Sequence, residues 1–336
     1  MAKYELFSLR PDERVFAEKF IQENPSFGLR VHEETLGEDT IHFIEDGCEA
    51  VILSQIKPLS DKVLDRLVEA GVKVLATRSA GYDMYPLDKL KQRGIRLTNV
   101  PSYSPESIAE FAFMGALHFI RKMNVINKKV REHDFRWQKE IRAERFCERK
   151  IGIVGCGTIG KQLAKLFKAV GCEILAYDAF YQDENLVKEG LLKYVSLEEL
   201  ITEADVISLH IPATKENHHL FNKDTFAKMK DGTILLNTAR GAVVDTDALL
   251  EALDSGKLAG ALVDVYEDEA PYVTVDWSGR ELKDSRLQKL IDHPDVIYTP
   301  HIAYYTGEAV KALFETSVYA AQAIVEKGEA KEEVKL

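Results

Sequence analysis

Apolar residues follow two patterns along this chain. Short β-branched or aliphatic runs recur at Tyr4–Leu9, Leu29–His32, Ala50–Ser54, Val72–Thr77 and Ile95–Val100. Between some of them, apolar residues return at helical spacing instead, as in Asp12–Gln22 (Val15, Phe16, Phe20) and Ser60–Ala70. Strands alternating with helices predict a parallel sheet covered on both faces. Pro101 closes this first half. Ser104 is a good N-cap and Pro105 suits a first helical position, so a long apolar helix is predicted to run to about Ile120. A second series of strands is predicted at Lys150–Val154, Val206–Ile211, Thr233–Asn237, Ala261–Val265 and Val296–Thr299. Val310, Leu313, Phe314, Val318 and Ile324 then mark a C-terminal helix with no sheet of its own, which is expected to return to the first half.

The most informative stretch opens the second series. Lys150–Val154 runs into Gly155-Cys156-Gly157-Thr158-Ile159-Gly160, a helix is predicted over Thr158–Val170, and a second strand, Ile174–Tyr177, ends in Asp178. Gly155 permits a tight turn, Gly157 lets backbone N–H groups approach a pyrophosphate, and Gly160 lets helix and sheet pack closely. The helix N-terminus supplies partial positive charge and free donors. Asp178 stands where a carboxylate accepts hydrogen bonds from a ribose diol and repels a 2′-phosphate, which points to NAD rather than NADP. The expected fold is therefore α/β: two Rossmann/flavodoxin-like parallel-sheet domains with a cleft between them. The NAD-binding domain is expected over 102–299. A discontinuous substrate domain is expected over 1–101 and 300–336.

Composition narrows the picture further. The 336 residues are 46% hydrophobic, ample for two cores. The formal net charge of −11 and the lack of a basic block argue against a nucleic-acid partner. Cys48, Cys147, Cys156 and Cys172 form no CxxC and no zinc spacing, so no metal and reduced thiols in a cytoplasmic protein are expected. His218-His219 reads as a surface pair, and His210 as structural or as a neighbour of the adenosine half. Trp137 and Trp277 read as core or loop anchors. The first residues lack a signal-peptide pattern and no apolar run is long enough for a membrane span.

Ligands of open α/β sheets bind beyond the carboxyl ends of strands. Four such ends carry suggestive groups: Arg78-Ser79-Ala80-Gly81, Thr238-Ala239-Arg240-Gly241, Tyr266-Glu267-Asp268-Glu269 and Pro300-His301. Hydride transfer to a 2-keto acid needs a cation for the carboxylate, which the arginine fork provides. It needs a proton donor at the carbonyl oxygen, for which histidine is suited. A carboxylate that orients the histidine and favours its charged form helps. Arg240, His301 and Glu269 are the candidates. Singly, each has a bland reading: a surface arginine, a loop histidine, a solvated acidic run.

Together with the glycine turn, the runs Asn237–Gly241, Asp264–Glu269, Thr299–Thr306, Asn99–Pro105 and Arg78–Asp83 resemble the signatures of the D-2-hydroxyacid dehydrogenases over nearly the whole chain. The resemblance is strongest to the D-lactate dehydrogenase branch, which includes D-2-hydroxyisocaproate dehydrogenase. It implies that Arg240 binds the substrate carboxylate, that His301 is the acid in reduction and the base in oxidation, and that Glu269 pairs with His301. It further implies that Tyr103 hydrogen-bonds the substrate and that the N–H groups of Ala80 and Gly81 cradle its carboxylate. Thr158 and Ile159 match the pyrophosphate turn. Ile211, Pro212, Asn217, Thr238, Ala239, Arg240 and Asp264 match further NAD contacts, with Asp264 reaching the nicotinamide carboxamide. Ser54 stands where lactate-preferring relatives often carry an aromatic residue, and Tyr304 is a second pocket candidate. The partners implied are a small 2-keto or 2-hydroxy acid and a second copy of the chain, with the Ser104–Ile120 helix as candidate interface. The rival within the class is an enzyme for longer side chains such as 2-ketoisocaproate or phenylpyruvate. Outside it stands an NAD(H)-sensing binding protein.

Overall fold

The structure is a computed structural model, which describes residues 3–54, 58–82 and 84–336. Asp83, the last residue of the Arg78–Asp83 run, lies outside the described residues. The chain divides into two compact units, Met1–Ser104 with Tyr305–Leu336 and Pro105–Tyr304. The divisions fall after Ser104 and Tyr304, somewhat later than the expected 101 and 299, so Pro300–Tyr304 belongs with the second unit.

The first unit is a five-stranded parallel sheet: β1 (Tyr4–Leu6), β2 (Leu29–Val31), β3 (Ala50–Leu53), β4 (Val74–Thr77) and β5 (Arg96–Thr98), in the order β2-β1-β3-β4-β5. Its helices are α1 (Arg14–Glu23), α2 (Asp61–Ala70), α3 (Leu87–Gln92) and the C-terminal helix Gly307–Lys327. Strand β3 shows why both faces are covered. Val51 and Leu53 pack with Leu64 and Leu67 of α2 on one face. Ala50 and Ile52 pack with Phe314, Val318, Ala321 and Ile324 of the C-terminal helix on the other. The tail beyond that helix covers the β5 edge: Val334 N–H donates to Leu97 O, Asn99 N–H donates to Glu332 O, and Arg96 pairs with Glu333. Strand β1 is shorter than predicted because the chain leaves the ladder at Ser8, whose φ is 57°. Arg78, just past β4, is fully buried there. It donates to Glu13 (3.1 Å) and to the carbonyls of Phe7 (3.0 Å) and Ser8 (2.6 Å), and so holds that departure in place.

The second unit contains α4 (Pro105–Ile120), α5 (Met123–Arg131) and a seven-stranded parallel sheet. Its strands are β6 (Lys150–Val154), β7 (Glu173–Tyr177), β8 (Lys193–Tyr194), β9 (Val206–Leu209), β10 (Thr233–Asn237), β11 (Leu258–Val263) and β12 (Val296–Tyr298), in the order β12-β11-β10-β9-β6-β7-β8. The order turns back at β6 and β9, the switch point where such sheets open to ligands. The intervening helices are α6 (Thr158–Ala169), α7 (Glu184–Lys188), α8 (Leu197–Glu203), α9 (Lys223–Lys228), α10 (Thr246–Asp254) and α11 (Ser285–Asp292). Ile234 and Leu236 of β10 face one core with α4 and α6, and Leu235 faces the other with α8 and α10. Strand β11 starts earlier than predicted: Leu258 pairs with Thr233 and Gly260 with Ile234, and the register shifts at the unpaired Ala259, a start that residues of low strand propensity do not signal. Among the described residues no helix is long and apolar enough to cross a membrane.

The Arg78–Glu13 pair gives the first test. Both side chains are fully buried, so removing one charge strands the other. Glu13→Gln is expected to lower unfolding free energy in urea by about 3 kcal/mol; a loss under about 1 kcal/mol contradicts the assigned role.

Candidate active site

The second unit gathers the candidate groups on three neighbouring strand ends. At the end of β10, Asn237 folds the chain back: its Oδ1 accepts from Ala239 N–H (3.1 Å) and its Nδ2 donates to Arg240 O (3.0 Å). The next residue must be glycine. A Cβ on Gly241 would lie 2.2 Å from the Tyr266 carbonyl carbon and 2.3 Å from Glu267 N, so the arginine turn rests directly on the turn after β11. The Arg240 guanidinium is half-buried and donates to Ala239 O (2.7 Å).

Asp264, just past β11, is 1% exposed and ties down the loop after β12. Its carboxylate accepts from Thr299 Oγ1 (2.6 Å), Ile302 N–H (2.8 Å) and Ala303 N–H (2.9 Å), and its carbonyl from His301 N–H (2.8 Å). The resemblance assigns Asp264 to the nicotinamide carboxamide, whereas here its carboxylate is engaged by the histidine loop. That bracing holds His301 at φ 59°, a left-handed conformation uncommon outside glycine and recurrent at functional sites.

His301 Nδ1 lies 2.7 Å from Glu269 Oε1, while Glu269 Oε2 accepts from Tyr266 N–H (3.0 Å). Burial opposes charge on the imidazole. The hydrogen bond and charge of Glu269, with the charge of Asp264, outweigh it and raise the His301 pKa above its ordinary 6.5; Arg240 pulls the other way. Arg240, Glu269 and His301, apart by as much as Arg240 to His301 along the chain, thus form one cluster. With Nδ1 held by Glu269, Nε2 is the nitrogen left for a ligand.

The glycine turn lies in the same unit. Gly155 has φ 92°, and a Cβ there would meet His210 O at 2.6 Å. A Cβ on Gly160 would meet Gly155 O at 2.3 Å. Gly157 is the N-cap of α6, with no side-chain cap and open space around its missing Cβ. Helices α8, α9, α10 and α11 are instead capped by Ser196, Asn222, Asp245 and Asp284. Asp178 directly follows β7; its Oδ2 accepts from Cys156 N–H (2.9 Å) and its Oδ1 from Phe180 N–H (3.0 Å) and Tyr181 N–H (3.1 Å). The hydroxyl of buried Thr238 has no protein partner. An uncapped helix start over open space, an acid anchored at its rim and an orphaned hydroxyl fit a dinucleotide.

Of the other expected contacts, Ile211 is half-buried, Pro212 exposed and Ala239 buried. Asn217 closes its own loop, accepting from Thr214 N–H (2.7 Å) and donating to Pro212 O (2.6 Å). His210 is 2.9 Å from Ser208 Oγ, and burial lowers its pKa to about 4. Tyr304 is half-buried. His219 pairs with Glu267 (2.9 Å), and among the described residues no His, Cys, Asp and Glu cluster suits a metal. In the first unit, Ser54 follows β3 and Tyr103 precedes α4, both half-buried. The turn of Ala80 and Gly81 is braced through its carbonyls, which accept from Asn99 Nδ2 (2.7 Å) and Ser79 Oγ (2.6 Å).

Trp137 needs correction. At 98% exposed it anchors nothing within its own chain, because the surrounding segment is charged and buries almost no side chain. Trp277 does anchor a loop, with Nε1 donating to Pro271 O (3.3 Å). Asn237, Gly241, Glu267 and Thr299 stand within the quoted runs, but the sequence alone assigns them no role. An asparagine at a strand end and a glycine directly after an arginine are the only local signals they leave.

Known proteins resemble this chain over nearly its whole length. Residues 113–303 match the family model for the NAD-binding domain of D-isomer specific 2-hydroxyacid dehydrogenases. A D-lactate dehydrogenase of Streptococcus agalactiae serotype V is 46% identical over 327 residues, covering 97% of this chain and 98% of that protein. The crystal structure of a Treponema pallidum D-lactate dehydrogenase superposes with a TM-score of 0.92 at 42% identity, covering 99% of both chains. That of a D-2-hydroxyisocaproate dehydrogenase does so with 0.89 at 34% identity, over 98% of this chain and 99% of that one. The chain belongs to the D-isomer specific 2-hydroxyacid dehydrogenase family.

The Glu269 contact is directly measurable. In histidine-labelled protein, the His301 resonance is expected to titrate above 6.5, and Glu269→Gln to move its midpoint down. A midpoint that Glu269→Gln leaves in place contradicts the pairing.

Proposed function

We propose that the protein is an NAD-dependent D-lactate dehydrogenase, interconverting pyruvate and D-lactate. The observation that carries the reading is the Glu269-held imidazole of His301 beside Arg240, in a unit built around an open glycine turn. The names of the relatives at 46% and 42% identity support the substrate and the handedness of the product.

Gly155, Gly157, Thr158, Ile159 and Gly160 would hold the pyrophosphate of NAD, and Asp178 the adenosine ribose. Bound there, the nicotinamide supplies or accepts the hydride. Arg240 binds the substrate carboxylate, with its planar fork matched to two oxygens. His301 Nε2 donates a proton to the carbonyl oxygen as the carbonyl carbon gains hydride, leaving a hydroxyl group and a neutral imidazole. In oxidation the same nitrogen takes the hydroxyl proton. Glu269 keeps the imidazolium available and fixes the ring. The family resemblance adds substrate contacts from Tyr103, Ala80, Gly81 and Ser54 of the first unit and from Tyr304 of the second. The small Ser54, with the similarity to D-2-hydroxyisocaproate dehydrogenase, favours a second reading in which longer 2-keto acids are preferred. The four cysteines are unpaired, in keeping with a reducing cytoplasm.

The same reading includes a homodimer. One face of α4 is taken by its own unit, burying Ala109, Ala112, Gly115, Ala116 and Phe119, while Met114 is exposed. Helix α5 buries no residue at all. Met123, Val130, Phe135 and Trp137 are exposed on and beyond it, an apolar set that a second copy would cover.

NADH oxidation with pyruvate, 2-ketoisocaproate and phenylpyruvate tests the activity, with NADPH as the cofactor control and chiral analysis of the product. Turnover is expected with NADH, poorly with NADPH, and the product is expected to be the D isomer. Arg240→Ala and His301→Ala are each expected to lower kcat/KM at least about a hundredfold. No turnover with any of the three acids would falsify the reading. A kcat/KM for 2-ketoisocaproate above that for pyruvate selects the longer-chain substrate. For assembly, light scattering is expected to give twice the chain mass, and Phe135→Glu with Trp137→Glu to give monomers. A wild-type monomer rejects the dimer.

A further inference from the structure

Glu269 accounts for only one carboxylate of the run Glu267-Asp268-Glu269. Asp268 is 59% exposed at the rim, paired with Arg286. Glu267 is different: its side chain is 12% exposed and has partners on three separate elements. Its Oε2 lies 2.9 Å from His219 Nε2, on the loop before α9. Its Oε1 accepts from Thr246 N–H at the start of α10 (3.3 Å) and from Arg286 Nη1 of α11 (3.2 Å). Burial works against its charge, and the bonds from Thr246 and His219 with the Arg286 charge more than compensate, keeping the carboxyl pKa below its ordinary value.

Each partner is itself fixed. His219 N–H donates to Ala242 O (2.9 Å), next to the Gly241 contact, and the His219 backbone is left-handed at φ 51°. Arg286 lies over the ring of Tyr266, whose hydroxyl donates to Asp284 Oδ2 (2.6 Å). The Glu267 clamp therefore grips both sides of a four-residue turn. From that turn Glu269 accepts from Tyr266 N–H (3.0 Å) and reaches His301 (2.7 Å). An exposed acid would need none of this. A side chain tied to three elements beside the turn that aims Glu269 restricts where that turn can go.

We propose that Glu267 is a positioning residue, which acts through the 266–269 turn to hold Glu269 on His301. The inference rests on the pairing of Glu269 with His301 in the reading above. Glu267 itself does not touch His301; the charges acting on that imidazole are Glu269, Asp264 and Arg240.

The test is the His301 titration by NMR in protein without cofactor, comparing wild type, Glu267→Ala, Glu267→Gln and Glu269→Gln. Glu267→Ala is expected to lower the His301 midpoint by at least half the displacement that Glu269→Gln produces. Glu267→Gln keeps an acceptor for Thr246 and Arg286 and is expected to restore most of it. In turnover, Glu267→Ala is expected to lower kcat about tenfold with the KM for NADH little changed. A wild-type midpoint in Glu267→Ala overturns the proposal. So does a midpoint that falls as far in Glu267→Gln as in Glu267→Ala, since lost charge rather than lost position then explains it. Should Glu267→Ala fail to fold, His219→Ala and Arg286→Met each release one arm of the clamp, and two unmoved midpoints overturn the proposal equally. Failure of the dehydrogenase reading registers elsewhere, as wild-type protein that reduces no 2-keto acid while its His301 titration responds to Glu267→Ala.

Discussion

One contact organises the chemistry of this protein: a carboxylate oxygen 2.7 Å from the inner nitrogen of an imidazole. A histidine in a partly buried loop would ordinarily prefer to be neutral. The Glu269 charge reverses that preference and turns the ring so that its other nitrogen is available. The surrounding structure serves to hold two loops, from different strands, within hydrogen-bonding reach. Asp264 pins the histidine loop with its carboxylate and carbonyl, and Gly241 lets the arginine turn lie on the acid turn. A left-handed His301 is tolerated because so many bonds specify it.

The parallel sheet makes this arrangement economical. Strands β10, β11 and β12 are neighbours, so three carboxyl ends open side by side and deliver Arg240, Glu269 and His301 to one place. Strands β6 and β7 put the glycine turn and Asp178 at the same end of the sheet by the same rule. Neither loop needs to be long, and the rigid sheet sets the spacing. Solved relatives with TM-scores of 0.92 and 0.89 show that the scaffold accommodates enzymes named for lactate and for 2-hydroxyisocaproate.

Much of this was legible along the chain, and what was not has a common cause. The glycine turn, the strand pattern and the acid at the end of β7 are local features, and periodicity finds them. The α/β class follows from them. Arg240, Glu269 and His301 are individually ordinary, and only their joint position at strand ends made them conspicuous. The true surroundings of Asp264, the near-contact at Gly241 and the three-way grip on Glu267 depend on residues from His219 to Ala303 converging, which no local pattern encodes. Trp137 was misread for the same reason. A large aromatic residue is buried in most chains, and only the folded structure reveals a segment that offers it nothing to pack against.

The most direct measurement is kcat/KM against pH in both directions, pyruvate reduction and D-lactate oxidation, in one buffer series. If His301 is the proton donor, as proposed, reduction should hold at low pH and fall as pH rises through a pKa above 6.5, while oxidation should rise through the same value. In Glu269→Gln both limbs should move to lower pH together. Profiles that share no common pKa, or that Glu269→Gln leaves unmoved, contradict a proton donor governed by that single contact.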